Sequence, residues 1–383
     1  MSSRVALFTG FFPPAYKAGG PVRSTANIVA TAPEDCSLLI VTGDRDLGDT
    51  EPFDVPTGSP QPWGRHEVIR LNPRNPRQLL EMVRAVRHFS PEIIYVNSLW
   101  SPWFSMLPAA VASLRLWSPT MFLIAPRGEV QAEALSLKPR KKQVATQAWR
   151  VIRRRINVWW HATDAQEANE IQAFCGDVNN VLISLNPVDL PVTPRAHTRA
   201  LQERKHFVVP GRVSPKKNQH ILLKALQNAP SNLTLHIYGA IHDRSYHQTL
   251  LDLAETAPQE IIFHGAVEHE KLLTALNSAD GMLLPTRGEN FGHVIPEALS
   301  QSCPVYVDAV TPFTPTIRDG GGEIINHRDP QEWADLLTRL YAETEEQSVE
   351  RHAESARSYI KWLRVRESTS ILKLAMNAVQ ALR

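Results

Sequence analysis

Cysteine is scarce. Cys36, Cys175 and Cys303 are the only three in 383 residues, and no two of them form a C-x-x-C pair. Such usage excludes a disulfide framework, gives no support to a zinc site, and fits a reducing compartment. Long apolar runs are also absent: no stretch reaches the ~18 uninterrupted apolar residues that a membrane-spanning helix needs. The amino terminus passes directly into a short apolar run at residues 5–9, too short for a signal peptide. The expectation is therefore a cytoplasmic protein, with membrane contact at most peripheral and on the cytoplasmic face of the inner membrane. An excess of one charge is missing as well. Lys and Arg number 41 against 39 Asp and Glu, a formal net charge of +2, so global charge gives no argument for nucleic acid. No dinucleotide-binding G-x-G-x-x-G follows the first strand, which leaves a nicotinamide site poorly supported. There is no internal repeat, and the 29 prolines are scattered among loops.

What is present is an ordinary globular composition, 43% apolar and 21% charged, on a chain long enough for two domains. Short apolar runs at residues 5–9, 37–42, 67–71, 93–97, 121–125, 158–161 and 181–184 alternate with helical stretches such as 77–89 and 165–174. That alternation predicts a doubly wound parallel α/β sheet. A second alternation starts at 205–210 and continues through 233–238, 261–264, 281–285 and 305–307. The joint falls in residues 187–203, which are rich in proline and polar residues. From Pro330 onward the pattern is helical, with residues 351–383 forming one long helix or two.

One nine-residue stretch stands out, Glu289-Asn-Phe-Gly-His-Val-Ile-Pro-Glu297. The apolar run before it, closed by Pro285, reads as a buried strand. Residues 294–301 read as a helix with proline tolerated in its first turn. Glu289 then lies on a loop at a strand's carboxyl end and Glu297 on the following helix. The amides of Phe291, Gly292 and His293 point out of the helix start, a place suited to an anion. Two carboxylates flanking a phosphate site can hold a sugar joined to a phosphate. Taken alone, two glutamates eight positions apart are ordinary surface residues; the strand–proline–loop–helix context is what gives them meaning.

This stretch resembles the E-x7-E motif of retaining glycosyltransferases of family 4, which have the GT-B fold: two Rossmann-like domains with an interdomain cleft. The resemblance implies that Glu289 contacts hydroxyls of the transferred sugar and Glu297 the nucleotide ribose, with Asn290, Phe291 and Gly292 lining the donor. The segment Gly211-Arg-Val-Ser-Pro-Lys-Lys-Asn218 is similar to the family's G-R-x-s-x-x-K segment, which assigns Arg212 and Lys217 to the donor diphosphate. Such enzymes use fixed cations in place of a metal to offset charge on the departing nucleotide. Asn218 stands where the family often has glycine. The resemblance also puts Gly239 and Gly265, each after a strand, near the donor, although glycine there is equally plain turn chemistry. It makes residues 200–357 the donor-binding domain and residues 1–190 the acceptor-side domain, with a terminal helix at about 358–383 packing back on the latter.

On the acceptor side, Gly19-Gly20 precedes a predicted helix and looks like the family's Gly-Gly loop under the donor phosphates. Ala125-Pro-Arg-Gly-Glu129 follows the fifth strand, where relatives carry P-H-G or P-R-G. Arg127 cannot serve as a general base, because its pKa stays above ~12; it suits charge stabilisation, and Glu129 suits acceptor contact. Asp44-Arg45-Asp46 is a D-x-D, the metal motif of the other major glycosyltransferase fold, but its place after a strand reads as loop and no metal is expected.

Residues 138–161 contain no acidic residue. They hold Lys138, Arg140, Lys141, Lys142, Arg150, Arg153, Arg154 and Arg155, together with Trp149, Trp159 and Trp160. Val144, Ala148, Ile152 and Ile156 recur at i+4, which predicts an amphipathic helix. It reads either as a contact for an anionic membrane or a lipid diphosphate, or as a core helix with a solvated basic face. The leading expectation is a retaining, metal-independent hexosyltransferase that moves a sugar from a nucleotide-diphosphate sugar to a lipid-linked saccharide of a cell-surface polysaccharide. The alternatives are a non-catalytic nucleotide-sugar-binding scaffold and a disaccharide phosphorylase on the same fold.

Overall fold

The structure is a computed structural model that describes residues 3–130, 146, 147, 149, 151–176, 180–198, 204–289, 291–326, 328–365 and 370–382. The chain forms two compact units, Met1–Asp189 with Ser368–Arg383, and Leu190–Glu367.

The first unit is built on β1 (Ser3–Thr9), β2 (Cys36–Gly43), β3 (Gln61–Trp63), β4 (His66–Leu71), β5 (Ile93–Asn97), β6 (Met121–Ala125), β7 (Val158–Ala162) and β8 (Val181–Ile183). They form one sheet in the order β3-β4-β2-β1-β5-β6-β7-β8. All neighbours are parallel except β3 against β4. Continuous apolar strands are what a sheet covered on both faces requires. In β1, Ala6 and Phe8 enter one core and Val5 and Leu7 the other. The seven expected strands are all present. The eighth, β3, was not legible: Gln61-Pro-Trp63 is three residues with a central proline, tolerated only because it lies on the sheet edge.

The second unit holds β9 (Lys205–Pro210), β10 (Leu233–Tyr238), β11 (Glu260–Gly265), β12 (Gly281–Leu284), β13 (Val305–Val307) and β14 (Gly322–Ile324). The order is β11-β10-β9-β12-β13-β14, parallel throughout. One face packs Phe207, Val209, Leu235 and Ile237 against helix Pro330–Ala342, whose Trp333 is fully buried.

The low-periodicity joint is irregular but pinned. Asp189 ends the first unit, and residues after it bind the second: Arg195 N donates to Ser300 O at 2.8 Å, and Asn277 Nδ2 donates to Ala196 O at 2.9 Å. At the other end the chain forms two helices. Glu345–Val365 stays with the second unit, and Ile371–Ala381 belongs to the first. Ile371, Leu372, Ala375, Met376 and Val379 make a single apolar stripe on that last helix and enter the core beside β1, β5 and β6. A stripe of this kind holds a terminal helix through burial rather than propensity.

Of the basic segment, Lys138, Arg140, Lys141, Lys142, Val144, Ala148 and Arg150 lie outside the described residues. Trp149 and Trp160 are buried, and Ile152 and Ile156 pack against the same core. Trp159 packs against the opposite core. The tryptophans are therefore core residues, Trp149 against Phe122 of β6 and Trp159 and Trp160 on opposite faces of β7, while Arg153, Arg154 and Arg155 are exposed. Among the described residues, no helix is long and apolar enough to cross a membrane.

Candidate functional site

In the second unit the predicted motif residues gather at the carboxyl ends of the strands, where parallel α/β sheets place their ligands. The backbone there is unusually close. Gly211 N donates to Tyr238 O at 2.8 Å and Gly239 N to Gly265 O at 2.7 Å. A Cβ on Gly239 would lie 2.1 Å from Gly211 O. Gly239 is thus required by strand-end packing. Gly265 has open space around it and is suited by its positive φ of 67°.

Gly211 serves the site directly. Its missing Cβ lets the stem of Lys217 lie across it, since an added Cβ would meet Lys217 Cε at 3.1 Å and Cδ at 3.2 Å. Lys217 Nζ forms an ion pair with Glu289 Oε1, and both side chains are largely buried, 17% and 12% exposed. Two motifs 72 residues apart in sequence are thereby joined. Arg212 is exposed beside them, and its carbonyl accepts from the fully buried Gln219 at 3.1 Å. The departure at Asn218 also has a physical reason. Its φ is 60°, in the left-handed region. Glycine adopts that conformation freely, and asparagine is the commonest substitute.

The helix after the loop is Val294–Ser300, one residue shorter than expected. Gly292 has φ 80°, and its missing Cβ spares the side chains of Ile295 and Glu289. Ile295 N closes the first turn on Gly292 O at 2.8 Å. Phe291 is buried against Phe313, ring centroids 5.3 Å apart, so its side chain anchors the loop. Glu297 is 5% exposed, and His269 Nδ1 lies 4.0 Å from its Oε1. His269 begins its own helix after β11, and no sequence pattern pointed to it. Asn290 lies outside the described residues.

In the first unit, Gly19 has φ 66°, and its carbonyl accepts from Val22 N at 3.0 Å, opening helix Gly20–Ala30. Nothing lies within 4 Å of a Cβ built on Gly19 or Gly20. The loop before it is held by Asp46, whose Oδ2 accepts from Tyr16 N at 2.7 Å and Lys17 N at 3.1 Å. Asp44 pairs with Arg45 at 2.9 Å. The D-x-D carboxylates are thus turned to their own loops.

Arg127, at φ 54°, sits inside a network of its own unit. Its Nε donates to Asn97 Oδ1 at 2.7 Å, Nη1 to Asn186 Oδ1, and Nη2 to the Tyr95 hydroxyl at 2.9 Å. Gly128 N donates to Glu167 Oε1 at 2.7 Å, and Glu167, 2% exposed, also accepts from Thr163 N and Oγ1. Glu129 accepts from Ser98 Oγ at 3.0 Å and Leu99 N at 2.6 Å. Arg127 and Glu129 therefore fix the ends of β5 and β6. Arg127's partners Tyr95, Asn97 and Asn186, with His161 and Glu167 nearby in the network, gave no sequence signal, since each is an isolated polar residue in a strand or loop or one of several polar residues on a helix.

This network sets protonation states. The Ser184 carbonyl lies 2.9 Å from His161 Nε2, so Nε2 carries the hydrogen, and Nδ1 accepts from Tyr95 OH at 2.6 Å. Complete burial, then the nearby Arg127 charge, holds His161 well below the ordinary histidine range. Burial also pushes Tyr95 up to about 12. Burial lowers His66, His220, His236 and His264 in the same direction. A depressed folded pKa contributes stability that is present above the unfolded value of ~6.5 and lost as pH falls through and below it. His161 alone gives a slope of up to about 1.4 kcal/mol per pH unit there. The expected result is a Tm that declines from pH 7.5 to 5.5 by thermal unfolding, and a flat Tm would contradict it.

The comparisons with known proteins bear on the family and the fold. Residues 194–359 match the family model for glycosyl transferases group 1, a span that lies within the second unit and includes all the residues of the Lys217–Glu289 site. A D-inositol 3-phosphate glycosyltransferase of Xylanimonas cellulosilytica is 29% identical over 202 residues, 48% of each chain. The match thus spans about half the length of that curated relative. Among solved structures, sucrose-phosphate synthase of Thermosynechococcus elongatus superposes with a TM-score of 0.71 at 17% identity, covering 99% of this chain and 98% of that one. Anabaena HepE, in complex with UDP and glucose, gives 0.69 at 14%, covering 99% and 100%. The fold is GT-B, with two Rossmann-like units.

Proposed function

We propose that this protein is a retaining, metal-independent hexosyltransferase that uses a nucleotide-diphosphate sugar as donor. The observation that carries the reading is the Lys217–Glu289 ion pair. It puts a cation suited to a diphosphate beside a carboxylate suited to sugar hydroxyls, in a domain of a glycosyltransferase family. Exposed Arg212 supplies a second cation, and Glu297, Phe291, Gly292, Gly239 and Gly265 complete the donor-binding set, with Asn290 assigned from sequence. The UDP and glucose of the HepE complex support a nucleotide-sugar donor. We assign the first unit as the acceptor-side domain, and Gly19 and Gly20 to the donor phosphates, from the resemblance of its Gly-Gly loop. Arg127 and Glu129 shape its strand ends through the contacts above.

Retention follows front-face substitution. The bond from the anomeric carbon to the diphosphate oxygen breaks as the acceptor oxygen bonds to the same face, and the departing diphosphate takes the acceptor's proton. Fixed cations lower this barrier because they stabilise charge that develops in the transition state. The acceptor we propose is a lipid-linked saccharide of a cell-surface polysaccharide, reached in the cytoplasm at the membrane surface, with the exposed arginines 153–155 toward anionic lipid.

A thermal-shift panel of UDP, GDP, ADP and TDP sugars tests the donor assignment. A donor at 100 times its Kd stabilises the fold by ~2.7 kcal/mol, so one base is expected to raise Tm clearly, with no dependence on chelator. No shift with any of them would sink the reading. Phosphate-dependent release of a sugar phosphate would instead favour the phosphorylase.

A further inference from the structure

The loop that carries Glu289 grips more than the ammonium of Lys217. Arg287 N donates to Lys216 O at 3.0 Å, and Arg287 Nε donates to Asn218 Oδ1 at 3.3 Å. Thr286 Oγ1 also donates to Lys216 O, at 3.4 Å. One residue therefore holds the chain on both sides of Lys217, by its backbone before it and by its side chain after it. Lys217 N turns back to Ser214 O at 3.0 Å, and Ile221 N donates to Asn218 O at 3.1 Å, so helix His220–Ala225 follows directly from the gripped residue.

We propose that Arg287 and Asn218 form a latch that positions Lys217. Asn218 has two tasks. Its left-handed backbone, φ 60°, turns the chain so that Lys217 lies over Gly211, and its side-chain oxygen receives the guanidinium of Arg287. Glycine, which the same backbone would accept, satisfies only the first task. This explains why asparagine, buried to 1% exposure, accompanies an arginine two residues before Glu289. A lysine side chain has four rotatable bonds and retains broad freedom unless its base is fixed. A cation that must meet charge formed only in the transition state gains from being held in advance. Arg287 is a positioning residue, because it acts through Lys217.

The test needs no knowledge of the substrate. Lys216 is exposed beside Lys217, whose side chain is largely buried against Gly211 and Glu289. Brief acetylation with acetic anhydride, read residue by residue by mass spectrometry, compares the two amines in one molecule. In the wild type Lys217 is expected to react more slowly than Lys216. One hydrogen bond from a charged donor corresponds to about tenfold. Arg287→Ala is therefore expected to speed Lys217 by about that factor with Lys216 unchanged. Asn218→Gly should do the same, while Asn218→Asp, which keeps the acceptor, should remain like the wild type. The double variant Arg287→Ala/Asn218→Gly should add little to either single one. If Lys217 reactivity is the same in Arg287→Ala and Asn218→Gly as in the wild type, the latch is refuted. Should Arg287→Ala fail to fold, Asn218→Gly against Asn218→Asp decides alone.

A kinetic arm rests on the donor reading of the preceding section. With the donor that the thermal panel selects, Arg287→Ala should lower kcat about tenfold and leave KM nearly unchanged, as loss of a contact made in the transition state does. A rise in KM at unchanged kcat would refute positioning of the reacting cation. Absence of turnover in the wild type would refute the donor reading and leave the labelling result standing.

Discussion

Glu289→Ala is expected to abolish sugar transfer, and Lys217→Ala to lower kcat on the order of 10²–10³-fold, the cost of losing one preorganised charge-stabilising group. The two effects are coupled. Lys217 and Glu289 form an ion pair with each 17% or less exposed, so removing the lysine leaves a carboxylate in a poorly solvated place beside an incoming diphosphate. Removing the glutamate frees the ammonium from the position in which Gly211 and Glu289 hold it. The double variant should accordingly lose much less than the product of the single losses. Donor hydrolysis and single-turnover transfer measure this, with Tm as the control for folding. Wild-type turnover in Glu289→Ala would overturn the assignment. Strictly multiplicative losses would show that the pair does not act as a unit.

Gly239→Ala should be the most damaging single methyl in the second unit's site. The new Cβ would lie 2.1 Å from Gly211 O and 2.5 Å from Gly211 C, at a φ of 152° that side chains rarely adopt. Overpacking and backbone strain together cost about 3 kcal/mol or more. The displaced backbone is that of Gly211, over which Lys217 lies, so nucleotide binding should fall with stability. Gly265→Ala is the matched control. Its Cβ meets nothing within 4 Å, and only its φ of 67° is strained, so about 1 kcal/mol is expected. Urea unfolding of the two variants separates steric clash from strain; equal, small losses would remove the close-approach argument.

The fold was largely legible because its signals are local. Seven apolar runs in the first half and five in the second became strands, since a parallel sheet covered on both faces needs unbroken apolar segments. The strands missed, Gln61–Trp63 and Gly322–Ile324, are three-residue edge strands whose pairing comes from their neighbours. The carboxylates of Asp44 and Asp46 hold their own loops through Arg45, Tyr16 and Lys17. The tryptophans of residues 149–160 suited a membrane as well as a core in sequence. Only tertiary packing made them core, with Trp149 against Phe122 of β6 and Trp159 and Trp160 of β7 entering opposite cores, because aromatic area is indifferent to which apolar surface it meets.

By itself the sequence determined the class of architecture and brought forward the two short motifs that carry Arg212, Lys217, Glu289 and Glu297. Each depends on residue type and spacing within one short segment. Tertiary structure decided which polar residues meet. It joined Lys217 to Glu289, made Gly239 a steric necessity, and gave Asn218 both a left-handed turn and a partner in Arg287. It also bound Arg127 to Tyr95, Asn97 and Asn186. The reason is physical: a hydrogen bond or ion pair needs groups within about 3 Å, and for residues 72 apart in sequence that distance is set by the packing of the strands that carry them.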